Sequence, residues 1–271
     1  MTKIDSKKLV DIFTGPLFEC LSYMPKFGNS QNKEGVSLGD FLDMYGNDPF
    51  YSKIGLNSPY MYAAHKASGG MTSIYRQIGI GCERLFRQII MQATEYSDYS
   101  FTQWSYKTKT KSGKDKTLSL DGRIDLSEIN NVKVKALVYE WIIQYCEILG
   151  IDSHGIKGAV FEVRQGYKSK DSKRQNGDLD NATVAYAYHY LPIFTVFSSQ
   201  IDSDIVLRYT NNRCGILTGT IQGNEFSSLY HFSHKVLNFN LLEFFDRNSK
   251  EIQKVVTTVL KKLLEIHETA F

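Results

Sequence analysis

The chain reads as an α/β protein, at the border with α+β, in which a mixed central β-sheet is flanked by helices. Three observations lead there. Segments with helical spacing of apolar residues alternate with short strand-like segments from about residue 72 to residue 220. One of these, LPIFTVFSS around Ile193–Ser198, is a nearly unbroken apolar run, as in a strand buried on both faces. With 271 residues, 42% hydrophobic and 13% aromatic, the chain also holds enough apolar material for one substantial core. The expectation is a single elaborated domain over 1–271, with its core at about 72–220 and helical or irregular additions at 1–71 and 221–271.

The elements follow in order. Residues 1–70, rich in Gly, Asn, Ser and Tyr, predict one short helix over about Lys7–Tyr23 and then irregular structure containing short helices. Over 72–94, Ile74, Ile78, Leu85 and Ile89 keep helical spacing behind an N-cap at Thr72 or Ser73. Gly79 and Gly81 weaken that helix or admit another backbone, and Glu83 falls off its apolar stripe. FTQWSYKTK (101–109) and TLSLDGRIDL (117–126) predict two strands joined by a lysine-rich turn. Residues 132–149 predict a buried amphipathic helix stopped by Gly150. A strand follows over Gly158–Gln165, then a polar segment, a helix over 178–190 and the apolar strand. The rest reads as a helix over Asp202–Tyr209, a short strand over Gly215–Thr220, and helices at about 239–246 and 249–267.

Composition narrows the class. At 23% charged residues the chain is neither disordered nor membrane-like, and no apolar stretch approaches the roughly 18 residues of a membrane span. MTKIDSKKLVDIF carries no long apolar run, so a secretory signal is not expected and a cytoplasmic setting is. Cys20, Cys82, Cys146 and Cys214 are far apart and read as small buried thiols, not disulfides or zinc ligands. The net charge of +3 is mild, but its distribution is uneven. Lys107–Lys116 holds five lysines and one acid, and Arg164–Arg174 five basic residues and one acid. Two such runs fit contact with a polyanion, or two solvated loops.

The segment with chemistry is the strand at 159–165. Side chains alternate across a strand, so Val160, Glu162 and Arg164 share one face, which aims a carboxylate and a guanidinium the same way. A second acid is needed to share a metal ion. Asp121, inside Leu-Asp-Gly-Arg-Ile-Asp, is the first candidate and Asp125 the alternative. Asp121 and Glu162 would hold Mg²⁺, a hard cation that keeps several waters, and Arg164 or Lys168 would stabilise charge on an attacked phosphate. Glu83 would add a water-mediated ligand. Lys107, Lys109, Lys111, Lys170, Ser172, Lys173, Arg174, Gln175 and Asn176 offer charge for phosphates and donors and acceptors for base edges. A cross-strand salt bridge would equally explain Glu-x-Arg, a turn would explain Asp-Gly, and an exposed helix acid would explain Glu83. The six histidines are scattered, and neither a P-loop, a dinucleotide fingerprint nor a G-x-S-x-G elbow occurs.

FEVRQGYKSKDSKRQN (Phe161–Asn176) resembles the catalytic strand and following segment of PD-(D/E)XK-type restriction endonucleases, and within them the ApaLI-like enzymes. Leu120-Asp121-Gly122 is similar to the first half of that motif, and Met71–Ile90 to the helix ahead of it. The likeness spans roughly 59–220. It implies a PD-(D/E)XK nuclease-like core, a homodimer, Mg²⁺-dependent hydrolysis of phosphodiesters in double-stranded DNA at a short site, and a companion DNA methyltransferase. Asp121 matches the first acid and Glu162 the second. The motif's lysine falls at Arg164, so either Arg164 takes its role as a charge stabiliser, not a base, or Lys168 or Lys170 folds into its place. Two rivals stand beside this expectation: a repair or junction nuclease of the same fold, and a non-catalytic nucleic-acid-binding module.

Overall fold

The computed structural model describes residues 5–27, 35–109, 113–167 and 172–265. Lys111, Lys168 and Lys170 lie outside them. Internal contacts divide the chain into two compact units, Met1–Leu9 with Cys82–Arg247, and Val10–Gly81 with Asn248–Phe271.

The second unit is helical. The expected first helix is an α-helix, α1 (Ser6–Thr14), that tightens at Pro16 into a 3-10 segment, Gly15–Ser22. Two short helices follow, α2 (Leu38–Gly46) and α3 (Pro49–Lys53), each with an acceptor side chain at its N-cap, Ser37 and Asp48. The helix expected from residue 72 starts much earlier, as α4 (Pro59–Thr94). Its glycines serve close packing: a Cβ at Gly69 would overlap the Tyr23 hydroxyl, and one at Gly81 the Phe13 carbonyl. Leu17, Cys20, Ile74, Val259 and Leu263 form a core here.

The first unit holds the sheet. Strand β1 (Trp104–Lys109) pairs antiparallel with β2 (Asp115–Leu120) as a separate hairpin. The strand expected over 117–126 breaks at Asp121, and its second half is β3 (Gly122–Asp125). With β4 (Gly158–Arg164), β5 (Tyr190–Val196) and β6 (Gly215–Thr218), β3 forms a four-stranded sheet in the order β3-β4-β5-β6. β3 runs antiparallel to β4, and β4, β5 and β6 are parallel. The fold is thus mixed α/β. The crossovers are α6 (Ser172–Ala187), which starts six residues before the expected 178, and α7 (Ser203–Asn211), capped by Asp202.

Each face of the sheet has its own cover. Phe161 meets Phe86 of α4 and Phe232 of α8 (Leu229–Lys235), a short helix the apolar spacing does not announce. On the same side lies α5 (Val132–Leu149), which has the expected bounds and ends with Gly150 in the left-handed region at φ 65°. Its Tyr145 hydroxyl donates to the Ile216 carbonyl and accepts from the Ile216 amide, closing the edge of β6. On the opposite face, α6 and α7 pack through Ala182, Ile205 and Tyr209 against Phe194, Val196 and Ile216. There the hairpin adds Trp104, Tyr106 and Leu120 against Val160 and Tyr190.

The two helices expected near the C-terminus are one, α9 (Leu241–Leu264), because Arg247–Lys250 keeps helical spacing without a glycine or proline. All four cysteines are free and buried. No helix among the described residues is long and apolar enough to cross a membrane.

Gly158 fixes the β3–β4 register. It lies opposite Asp125, and a Cβ there would overlap the Ile124 carbonyl oxygen. Gly158→Ala is expected to cost about 1–3 kcal/mol, read as a lower urea midpoint, because strand backbones, not side-chain tips, must part.

Candidate active site

The break at Asp121 builds the site. Gly122 pairs with Phe161, the last pair of the ladder, so Asp121 lies in the bend just past it, beside the Glu162 end of β4. Asp121 then ends the ladder with its side chain: Oδ2 accepts the Val163 amide at 2.9 Å. Glu162 and Arg164 share their face of β4, and an Arg164 Nη2 is 2.9 Å from Glu162 Oε1.

The same Nη2 is 2.7 Å from Oδ1 of Asp178, a buried acid on α6 that sequence reasoning missed. The other Asp178 oxygen accepts from Tyr209 at 2.7 Å and from Tyr167 at 3.0 Å, and these two hydroxyls are 2.9 Å apart. Tyr167 also stacks under Arg164, its ring centre 5.0 Å from the guanidinium carbon. A signal for Asp178 did exist: Gln175, Asp178, Ala182 and Ala185 are spaced three, four and three apart, the buried face of α6. Half of that face is polar, so a search for apolar periodicity passes over it.

Burial, and after it the crowding of acids, governs the electrostatics. Burial pushes Asp121 above the usual carboxylate range, against the Val163 hydrogen bond and the charges of Arg164 and Arg87, while Asp178 adds to the rise. Glu162 is pushed up to about 8 by burial and then by the negative charge of Asp121, with Arg164 opposing and Asp178 assisting. Glu83 forms an i,i+4 ion pair with Arg87 and so reaches the site only through that arginine. Glu83, Asp121, Glu162 and Asp178 lie about Arg87 and Arg164, and a third guanidinium, that of Arg174, stands 5.9 Å from the Tyr167 ring centre.

Other residues fall elsewhere. Asp125 sits at the far end of β3, opposite Gly158, where Tyr190 donates to it at 2.5 Å and Ser127 at 2.6 Å. Those bonds hold it below the usual range although burial pushes it up, so it belongs to another hydrogen-bond group than Glu162. Gln175 does not face outward for base contact. It is buried, and its Oε1 accepts from Arg208 at 2.7 Å. Asn176 accepts from the same guanidinium at 2.5 Å. Ser172, Lys173 and Arg174 are exposed on the first turn of α6, which is helix where a polar loop was expected. Lys107 and Lys109 are exposed on β1, on the side away from Trp104 and Tyr106. The Tyr106 hydroxyl donates to Asn181 of α6 at 2.6 Å, tying the lysine-bearing strand to the helix that carries Asp178.

Two donor atoms remain for a hard cation: Asp121 Oδ1 and Glu162 Oε2 have no hydrogen bond among the described residues. A pair of carboxylates fits an ion such as Mg²⁺, which completes its shell with water and substrate oxygens. No group of three His, Cys, Asp or Glu ligands occurs among the described residues. Comparison with protein-family models, curated proteins and solved structures finds no match.

Proposed function

We propose that the chain is a Mg²⁺-dependent endonuclease for double-stranded DNA with a PD-(D/E)XK-like centre, acting as a type II restriction enzyme does. The observation that carries this reading is the closeness of Asp121, in the bend before β3, to Glu162 on β4, two partly buried carboxylates both raised above their usual range by burial, with the charge of Asp121 adding to the rise of Glu162. Each acid raises the cost of ionising the other, and a divalent cation held between them would offset that cost.

In this reading Asp121 and Glu162 would hold a Mg²⁺ ion, which would supply Lewis acidity to a phosphodiester oxygen and lower the pKa of water. Glu162 would have to be ionised to serve there. Arg164 stays cationic at any working pH and stabilises charge on the phosphate, not as a general base. Asp178 and the two tyrosines fix its guanidinium. Lys107, Lys109, Lys173 and Arg174 hold the DNA backbone. A homodimer, a companion methyltransferase and a prokaryotic cytoplasmic setting belong to the same proposal.

Incubation of plasmid and phage DNA with the protein in Mg²⁺, with chelator controls and sequenced ends, tests it. Discrete fragments with a common end sequence are expected. A smear points to a repair or junction nuclease, and intact DNA counts against any nuclease. One observation favours a non-catalytic binding module instead: the motif's lysine position is an arginine already engaged by two carboxylates. That reading expects binding without cleavage, unchanged in Glu162→Ala.

The backbone-gripping role of β1 has its own test. In Lys107→Ala/Lys109→Ala, the slope of log affinity against log salt should shrink by about 2, near 0.9 for each phosphate no longer neutralised, on any DNA sequence.

A further inference from the structure

A cavity of about 300 Å³ opens in the sheet-bearing unit, away from Asp121 and Glu162 in its lining. Leu9 of α1, Gln92 on the last turn of α4, Phe239 just ahead of α9, and Glu243, Phe244 and Arg247 on the first two turns of α9 are among its walls. Its volume is at the lower end of the range for small-molecule sites. The chain enters it at Asn238, in the left-handed region at φ 51°, and the Phe239 amide then donates to the Ser233 carbonyl at 2.8 Å. Phe239 is thereby held beside Phe244, with ring centres 6.1 Å apart and planes tilted by 48°. The two rings and Leu9 give the cavity an apolar side against which a flat ring can pack.

The polar side is incomplete within the protein. Gln92 Nε2 is buried and has no hydrogen-bond partner. A buried donor left unpaired is costly, and a ligand that supplies an acceptor relieves the cost. With no bond fixing Nε2, a half-turn of the terminal torsion exchanges the donor and acceptor ends of the carboxamide at the cavity wall. At the mouth, Arg247 is exposed and forms an i,i+4 ion pair with Glu243. One carboxylate does not take up all five N–H donors of a guanidinium.

We propose that this cavity binds an adenine nucleotide, with the base inside and the 5′-phosphate at the mouth. A carboxamide presents a donor and an acceptor side by side, which matches N7 and the N6 amino group of adenine. Guanine offers two acceptors on that edge, so its O6 would oppose the carboxamide oxygen. Phe239 and Phe244 supply stacking, Glu243 accepts from ribose hydroxyls, and Arg247 meets the phosphate. The inference does not depend on the nuclease reading, because it needs neither DNA nor metal.

Calorimetric titration of adenosine 5′-monophosphate into the full chain, in EDTA, tests it. Binding at one site per chain is expected, with a Kd of about 10–100 µM. Guanosine 5′-monophosphate and inorganic phosphate should each bind at least about ten-fold more weakly. Gln92→Met keeps the length of the side chain and removes the carboxamide. It should weaken the adenine nucleotide at least about ten-fold and raise the melting temperature of the ligand-free protein by about 2–4 °C, because the unpaired donor is gone. Arg247→Ala changes an exposed residue and should weaken the nucleotide while leaving adenosine unchanged. Glu162→Gln should bind the nucleotide as the wild type does. No binding at about 1 mM, equal binding of the guanine nucleotide, affinity unchanged in Gln92→Met, or binding lost in Glu162→Gln would overturn the proposal.

Discussion

Replacing Glu162 by glutamine is expected to lower DNA cleavage by at least about 10³-fold and, in the same protein at pH 8.5 without metal, to raise its melting temperature. If Glu162 holds the cation as proposed, the first effect follows from losing an anionic ligand, worth several kcal/mol in the transition state. The second follows from the acid's own environment. Glu162 is raised from 4.5 to about 8 by burial and by Asp121. Between those two pH values the folded chain keeps a proton that the unfolded chain has released. Stability therefore falls as pH rises through this window and levels off above about 8. Glutamine removes that loss. At pH 8.5 the variant should melt about 3–5 °C higher, while near pH 5 the two proteins should melt together. Added Mg²⁺ should stabilise only the wild type. A structural Glu162–Arg164 salt bridge predicts the reverse, a variant that is less stable at pH 8.5.

Asp178→Ala should destabilise the protein by about 3–5 kcal/mol, the largest single effect on folding expected in the site. The acid is 7% exposed and Arg164 is 10% exposed. Removal leaves a buried guanidinium with one partner and takes the acceptor from two tyrosine hydroxyls. Asp178→Asn keeps an acceptor for the tyrosines and should cost roughly half as much. In both variants Arg164 is left to Glu162 alone, so divalent cations should bind more weakly even where the protein is folded. Chemical denaturation gives the first quantity and metal titration the second. A loss under about 1 kcal/mol for the alanine variant would mean that the Arg164 network does not hold α6 to the sheet.

Much of this arrangement is legible in the sequence, and the residues show why. Helix α5 matches its expected bounds because its apolar residues keep helical spacing up to Gly150, which only a stop explains. Alternation in Ala159–Gln165 places Glu162 and Arg164 on one face without any coordinates. That Asp121 lies beside Glu162 depends on a β3–β4 register set by Gly158 against Ile124, a contact between residues more than thirty apart. Asp178 was hidden for a different reason. A helix face made of Gln175, Asp178 and two alanines looks solvated until tertiary partners, Arg164, Tyr167, Tyr209 and Arg208, satisfy it. In α4 the glycines argue against helix by propensity, and close approaches at Gly69 and Gly81 override them.

The most direct measurement is calorimetric titration of Mg²⁺ into the DNA-free protein at pH 6, 7 and 8.5, in buffers of different ionisation enthalpy. Metal must displace the Glu162 proton, so affinity should rise across this range. Proton release should approach one per ion at pH 6 and 7 and fall well below one at pH 8.5. Asp121→Asn and Glu162→Gln should each abolish the binding heat. Binding that is absent at every pH, or that persists unchanged in both variants, would contradict the carboxylate pair as the cation site.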